Sequence, residues 1–294
     1  GGANNAAAGN ASTIGGGAYI SVTGPAATAA GGAYIRANGE GATAAGGTYI
    51  TVTADYATVG GGGYNTASGI GSVVAGGGGK DPIVVRTLPN TASGMLSVIG
   101  GGGLNRASEG YATVSGGQGN TAAAWAATIA GGEQITVTGN WATAAGGEEN
   151  VAEGDYATIG GGHNNKAASD FSTVIGGHSA EASHFGSVAH AAGSFSEAGD
   201  AQQAFYVLRG TTYDDTPTEL FLDGVSQRLT IGHRSITFDI LVVARTAGSI
   251  PYSAGYTTQG VIEGWGASAV NFVFGSPVVT KLGDDIGGTD FDPG

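Results

Sequence analysis

The chain is expected to be all-β: a β-solenoid of fifteen-residue coils, a β-roll, followed by a small antiparallel β-sandwich or jelly-roll-like domain. Three observations predict this. The third position of the phrase YATVGGG falls at Thr13, Thr28, Thr43, Thr58, Val73, Val98, Thr113, Thr128, Thr143, Thr158, Thr173 and Val188; ten of the eleven steps are fifteen residues, and that from Val73 to Val98 is fifteen plus ten. Each period holds two short alternating segments, roughly ATVG and NTAS, and the repeat region shows no sustained helical periodicity. After about residue 198 the beat stops and runs rich in β-branched and aromatic residues take over. The division is therefore 1–198 for the solenoid and 199–294 for the C-terminal module.

The columns of the repeat describe one coil. Two glycines recur in nearly every coil, at Gly61 and Gly62 and again at Gly161 and Gly162, and such a pair predicts a tight corner that needs positive φ or close backbone approach. One place before the marker only Ala or Ser occurs, and one place after it stand Ile, Val or Ala. The second segment carries Ala or Val near position 67 of the register, with Asn65, Asn105 and Asn165 or an Ile two places earlier. Stacked Asn side chains predict an amide ladder, and Ile20, Ile35, Ile50 and Ile135 in that column predict that it is partly buried. Twelve coils stacked ~4.8 Å apart make a rod of roughly 55 to 60 Å.

Glycine accounts for 59 of 294 residues and most of the other apolar content of the repeats is alanine, so a single coil buries little and neighbours must supply the rest. The two columns of tiny residues, near 57 and near 67, are expected to be lines of close contact, one within the coil and one against another chain. A homotrimer is the economical choice.

The ten extra residues between coils five and six, Lys80 to Pro89 (KDPIVVRTLP), predict a loop thrown out sideways, because the register resumes at Asn90. Ile83, Val84, Val85 and Arg86 in it are candidate contact residues, either on a binding face or as a clamp over a neighbouring chain. Beyond residue 198, segments such as QAFYVLRG, ELFLDG, RLTIG, ITFDILVVART, QGVIEGWG and AVNFVFG are separated by DD, DG, GS and SP turn pairs, the spacing of an antiparallel sandwich. Asp239, inside the best central strand, needs a partner if it points inward.

DYATIGGGHNNKAA (155–168) and DFSTVIGGHSAEA (170–182) resemble the left-handed β-roll heads of trimeric autotransporter adhesins, and more closely the related repeats of bacteriophage tail fibres. Adhesin heads repeat at about fourteen residues on the form SVAIGxxSxA, whereas this chain has fifteen, a doubled glycine and frequent Asn. GDAQQAFYVLRGTTYDDTPTELFLDG (199–224) resembles a C-terminal module that follows such repeats in phage fibres. The resemblance implies a trimeric fibre of a phage tail: a virion component, extracellular, that presents a tip to a bacterial surface glycan or outer-membrane protein and joins other virion tail proteins. It also implies a segment of a longer fibre, with Gly1 and Gly2 in the register of a thirteenth coil. A bacterial surface adhesin head is the alternative, with an ice-binding solenoid or a polysaccharide-degrading tail spike behind it.

Composition excludes several chemistries. A formal charge of −13, ten basic against twenty-three acidic residues, opposes electrostatic binding to nucleic acid and to anionic membranes, and no apolar run is long enough to span a bilayer. The absence of cysteine removes disulfides and thiolate metal sites. No GxxxxGK[ST] phosphate loop, no Ser/His/Asp triad and no carboxylate pair in a cleft can be assembled, so no catalytic residue, cofactor or metal ligand is assigned and an enzyme is not expected. His163 and His178 share a column with Glu133 and Glu148 as a solvated edge or a metal site, while His184 and His190 at the end of the roll fit packing or an axial ion. Asp284, Asp285, Asp290 and Asp292 lack EF-hand spacing. Tyr56, Tyr111, Trp141, Tyr156 and Phe171 occupy one column, with Trp125 one place away; such a row suits either sugar stacking or packing between chains, and packing is the favoured reading.

Overall fold

The computed structural model describes residues 1–81, 86–213, 216–231, 235–245, 253–264, 270–272 and 278–284. Among these residues there is no helix, and the chain divides into two compact units, Gly1–Gln227 and Arg228–Gly294.

The first unit is a β-solenoid of twelve coils. Every coil contributes one strand to each of two facing parallel sheets. One, here the T sheet, collects the marker strands such as Thr58–Val59 and Thr158–Ile159; the other, the N sheet, collects strands such as Thr66–Ala67 and Lys166–Ala167. Strand residues pair with those fifteen places on, Thr58 with Val73 and Val151 with Lys166 for example, until the last coil, where a bulge after Val174 sets Gly176, Gly177 and His178 opposite His190, Ala191 and Ala192, fourteen places on. Across the insertion the pairs Val73–Val98 and Thr66–Thr91 keep the same register, so the ten extra residues leave the stack undisturbed.

Four side chains per coil point inward. They are those at the positions of Ala57, Val59, Asn65 and Ala67, and nearly all members of these columns are fully buried. Both tiny-residue columns therefore face the interior of a single chain, and the expectation that one of them meets another chain is corrected. The reason is the close approach of the two sheets: with only two residues per strand, the interior has room for Ala opposite Ile or Val and for little else.

The Asn column is buried as expected, but it is not a ladder of amides bonded to each other. Asn105 Nδ2 donates to the carbonyls of Gly101 in its own coil and of Gly117 in the next, both at 2.8 Å, while its Oδ1 accepts the Asn120 backbone N–H at 3.1 Å. Asn65 and Asn165 make the same contacts to Gly61 and Gly77 and to Gly161 and Gly177. The glycine turn leaves the carbonyl of the first glycine and one N–H without backbone partners; the amide supplies both bonds and adds a second donor to the next coil's glycine carbonyl, which already accepts a backbone N–H, Gly117 from Gly103 at 3.0 Å for example. In three successive coils where Ile replaces Asn, the N-sheet strands lengthen to five residues, Ala18–Val22, Ala33–Ala37 and Thr48–Val52, so backbone pairing takes over what the amide does elsewhere.

The two glycines of the corner are not equivalent. The second sits at positive φ in every coil from Gly17 to Gly177, +84° at Gly62 and +91° at Gly162, and a Cβ there would run into the carbonyl of the next coil's second glycine. At Gly61 and Gly161 a Cβ would meet nothing.

The last coil is capped. Gln202–Phe205 pairs antiparallel with Val188–Ala192 and closes the T sheet, while the Gln202 side chain accepts the Glu181 N–H at 2.7 Å and donates to the Glu181 carbonyl at 2.8 Å, a substitute for the missing next strand of the N sheet. The boundary consequently falls at Gln227 rather than at 198. Asp200 and Asp223 fix the turns of this segment. Backbone N–H groups of Glu197, Ser196 and Phe195 lower the Asp200 carboxyl to about 2, and those of Gln227, Ser226 and Val225 hold Asp223 well below the usual carboxylate range.

The second unit is one antiparallel sheet. Ser235–Arg245 and Ser253–Gly264 form a long hairpin, and Val270–Phe272 and Val278–Asp284 pair with the far side of its second strand. A second layer, as a sandwich would have, does not occur among the described residues. Asp239 faces outward and accepts a bond from Gln259 Nε2 at 3.1 Å.

Two outcomes follow from these contacts. Asn105→Ala leaves the Gly101 carbonyl and the Asn120 N–H without partners, while Gly117 keeps its bond from Gly103, and is expected to cost about 3 kcal/mol, whereas Asn105→Ile, which installs the residue the column already holds at Ile135 between two Asn coils, is expected to cost less; denaturant midpoints of the two variants decide. Because the Asp200 and Asp223 carboxyls are lowered relative to the ordinary value of about 3.9, their support is complete above that pH and is lost as pH falls toward 2. Hydrogen exchange of residues 195–200 and 223–227 is expected to accelerate in that window while coils 60–160 stay protected, and Asp200→Asn should abolish the acid step at the first of these turns.

Candidate functional surfaces

Two corners of the coil lie in the left-handed region and in most coils carry non-glycine residues, with glycine at Gly41, Gly71, Gly119 and Gly186. One is the column of Tyr56, the other the column of Tyr64, with φ between +53° and +61° at the non-glycine residues from Asn4 to Ser179. A Cβ in this conformation is disfavoured and aromatics are rare there. What the conformation provides is direction: the chain reverses between sheets and the side chain projects away from the coil, within reach of the same positions one coil up and down.

Both columns become aromatic ladders. On the edge between Ala/Ser57-type positions and the turn before them, Trp141, Tyr156 and Phe171 stack with centroids 5.1 and 5.0 Å apart and ring planes within 6°. Phe185 closes this ladder edge-on at 5.2 Å. Trp125 meets Tyr111 edge-on at 5.0 Å and lies across Gly110, which has no side chain to obstruct it. Trp125, Trp141 and Tyr156 are thus brought to one exposed edge as expected from their spacing. At the opposite, glycine-turn edge stands a second ladder that sequence reasoning missed: Tyr19, Tyr34, Tyr49 and Tyr64, with centroids 4.7 to 4.9 Å apart and the Lys80 ammonium 5.9 Å above the last ring. Its signal was present in the sequence as four tyrosines at fifteen-residue intervals.

The insertion lands on the glycine-turn edge, directly above that tyrosine ladder. Lys80 and Thr87 form an antiparallel bridge, Asp81 N–H donates to the Arg86 carbonyl at 2.8 Å, and Leu88 N–H donates to the Gly79 carbonyl at 2.9 Å. The base of the loop is therefore a short hairpin with Arg86 exposed. Ile83, Val84 and Val85 lie outside the described residues. Past the hairpin, Leu88 closes one end of a groove of about 720 Å³ whose floor is the glycine turn of four coils and whose wall carries Gln118, Glu133 and Glu148.

The column of these three continues through His163 and His178, bridged residue to residue. The two imidazoles stack at 5.0 Å, and His163 Nε2 lies 3.5 Å from Glu149 Oε2, an ion pair only when the ring is protonated. Among the described residues no three His, Asp or Glu side chains converge where they could hold a metal ion. His184 packs edge-on against Tyr206 at 5.5 Å, and the exposed His190 has Nδ1 3.1 Å from the Gly176 carbonyl. The side chain of Asp284 and the whole of Asp285, Asp290 and Asp292 lie outside the described residues.

A further row runs beside the first aromatic edge. Asp155 Oδ1 accepts the Asn140 N–H at 2.8 Å, Asp170 Oδ1 the Asp155 N–H at 2.9 Å, and Asn140 Oδ1 the Trp125 N–H at 3.2 Å. Each carboxylate or amide thus closes a turn N–H of the preceding coil, as Asp55 does for Glu40. These acids are tied down by backbone and are not assembled as a reactive pair.

No family model matches the chain, and no curated protein does.

The left-handed corners should show opposite responses to glycine. Ala126→Gly relieves the strained φ without losing a stacked ring and is expected to stabilise by about 0.5–1 kcal/mol, the left-handed penalty less the entropy of the added glycine. Tyr156→Gly relieves the same strain but removes two ring contacts and is expected to destabilise by about 1 kcal/mol; thermal melts of the pair give both signs.

Proposed function

We propose that this chain is a structural and adhesive segment of a trimeric bacteriophage tail fibre, with the solenoid as a stiff spacer and the unit after Gln227 as the part that meets a bacterial surface glycan or outer-membrane protein. The observation that carries this reading is the strict stack itself: twelve stacked coils, with an insertion and a change of core residue accommodated without a slip and a one-residue shift only where the last coil joins. A rod that extends by ~4.8 Å per coil and holds its register is suited to setting distance. A closed cap at its end, followed by a separate antiparallel unit, is suited to presenting something at that distance. Three copies of a weak contact, repeated over several fibres, supply avidity without new chemistry. The resemblance of residues 199–224 to phage fibre modules favours a virion over a bacterial cell surface.

A chain ending at Gln227 keeps the cap and is expected to retain its β signature by circular dichroism and its oligomeric state, yet to lose adsorption to host bacteria that the labelled full-length chain decorates. Undiminished adsorption by the shortened chain would remove the tip from the second unit.

A further inference from the structure

Charge is absent from one whole side of the solenoid. In every coil the seven positions from the left-handed corner through the second glycine, residues 56–62 and their equivalents from 11–17 to 186–192, contain no Asp, Glu, Lys or Arg in any of the twelve coils. The columns of Ala57 and Val59 are buried, which accounts for their neutrality. The columns of residues 56, 58, 60 and 61 look outward and have no such reason. Charged residues of the solenoid stand elsewhere: Arg36, Arg106, Lys166 and Glu181 on the outer face of the N sheet, Glu40, Asp55, Asp155 and Asp170 in the column just before the aromatic corner, which Ile70 and Trp125 share, and Glu133 and Glu148 at the glycine turn.

This neutral side has relief. Its corner is a ridge of large side chains, Tyr56, Leu96, Tyr111, Trp141, Tyr156 and Phe171, all 45–62 % exposed. Where the corner residue is Gly71 or Ala126, Ile70 and Trp125 stand exposed one position away, so the ridge continues from coil four to coil eleven. Beside it the T sheet is a strip of Thr or Val flanked by Gly, Ala and Ser up to coil ten, with the exposed Ile175 and His190 in the last two coils. At 150–250 Å² per aromatic, half exposed, the ridge alone offers on the order of 800 Å² of apolar surface. A monomer's largest apolar patch is about 300–600 Å² and one side of a standard interface about 800 Å².

We infer that this side is a self-association seam, in which the ridge of one copy lies on the strip of the next. The inference rests on the trimeric reading above and assigns the surface that such a trimer uses. Two facts select a second copy as occupant. Copies that each carry −13 repel, and the neutral side is the one along which they can approach over the full length of the stack without opposing like charges. Ridge and strip are different surfaces of one chain, so the contact is head to tail; three parallel copies close it into a ring. A sugar is the poorer occupant because the faces of Tyr156 are already covered by Trp141 and Phe171 at 5.0–5.1 Å, leaving ring edges rather than faces to solvent.

The test compares the full-length chain with two lysine pairs by size-exclusion chromatography with light scattering. Thr143→Lys with Thr158→Lys charges the strip, and Thr121→Lys with Thr136→Lys charges the outer face of the N sheet by the same amount. The expected result is a wild-type mass of three chains, a threefold fall to one chain for the strip pair, and no change for the N-sheet pair. Should the strip pair lose its β signature, Tyr156→Ser, whose side chain lies outside the core, takes its place with the same expected fall. A trimeric wild type with an unchanged strip pair, or dissociation by the N-sheet pair alone, overturns the seam and leaves the trimer standing. A monomeric wild type overturns both, and loss of binding to a panel of bacterial surface polysaccharides by a monomeric Tyr156→Ser chain would assign the ridge to sugar instead.

Discussion

Everything in the solenoid follows from one steric fact: the carbonyl of each coil's second glycine sits where the Cβ of the coil before would be. Gly62 under Gly77 and Gly162 under Gly177 leave no room for a side chain, and their backbone lies in the left-handed half of φ besides. That contact fixes the height of the corner, and with it the fifteen-residue path between corners. Once the path is fixed, each backbone group can be answered only by the group directly above or below it, so register ceases to be a choice. A parallel sheet of two-residue strands would otherwise be weakly specified.

The same stacking turns side chains into columns, and a column amplifies whatever occupies it. Asn in the interior becomes a spine of backbone caps, each amide serving two coils and joining the next through its Oδ1. Asp and Asn at the outer turn do the same for exposed N–H groups. Aromatics at left-handed corners become ladders whose spacing is the coil spacing itself, which offsets part of the cost of an unfavourable backbone. Stability is spread over near-identical small terms between neighbours, so the ends matter most, and the chain treats the C-terminal end as a special case through Gln202.

The period, the two-strand coil, the corner glycines and the lateral insertion were all legible in the sequence, because each restricts residue type at a fixed column. Three features were not. The left-handed corners tolerate Tyr, Trp, Phe, Leu, Ala, Gln and Glu, so no composition betrays their backbone. The role of the Asn amides was hidden because an Asn column suits either a side-chain ladder or a backbone cap, and only the Gly61 carbonyl, which no backbone N–H reaches, decides between them. The column at Ala67 looked like a contact with another chain because smallness records close approach without saying what approaches; the partner is the opposite sheet of the same coil. Residues 199–227 showed a change in composition at 199, but composition does not reveal that Gln202 and its strand belong to the last coil.

The neutral side of the coil could in principle be a by-product of stacking, since any charged column places like charges one coil apart. The cost of that is small: two unit charges about 4.8 Å apart in water repel by about 1 kcal/mol. The chain accepts it elsewhere, in Glu133 beside Glu148 and in Asp155 beside Asp170. Burial does not explain the pattern either, because the corner and marker columns look outward, and turn geometry does not, because the other left-handed corner carries Glu149 at the same φ as its neutral neighbours. A constraint that acts on one side of the rod only, over its full length, and on exposed positions as strictly as on buried ones, is the constraint that the proposed seam would impose.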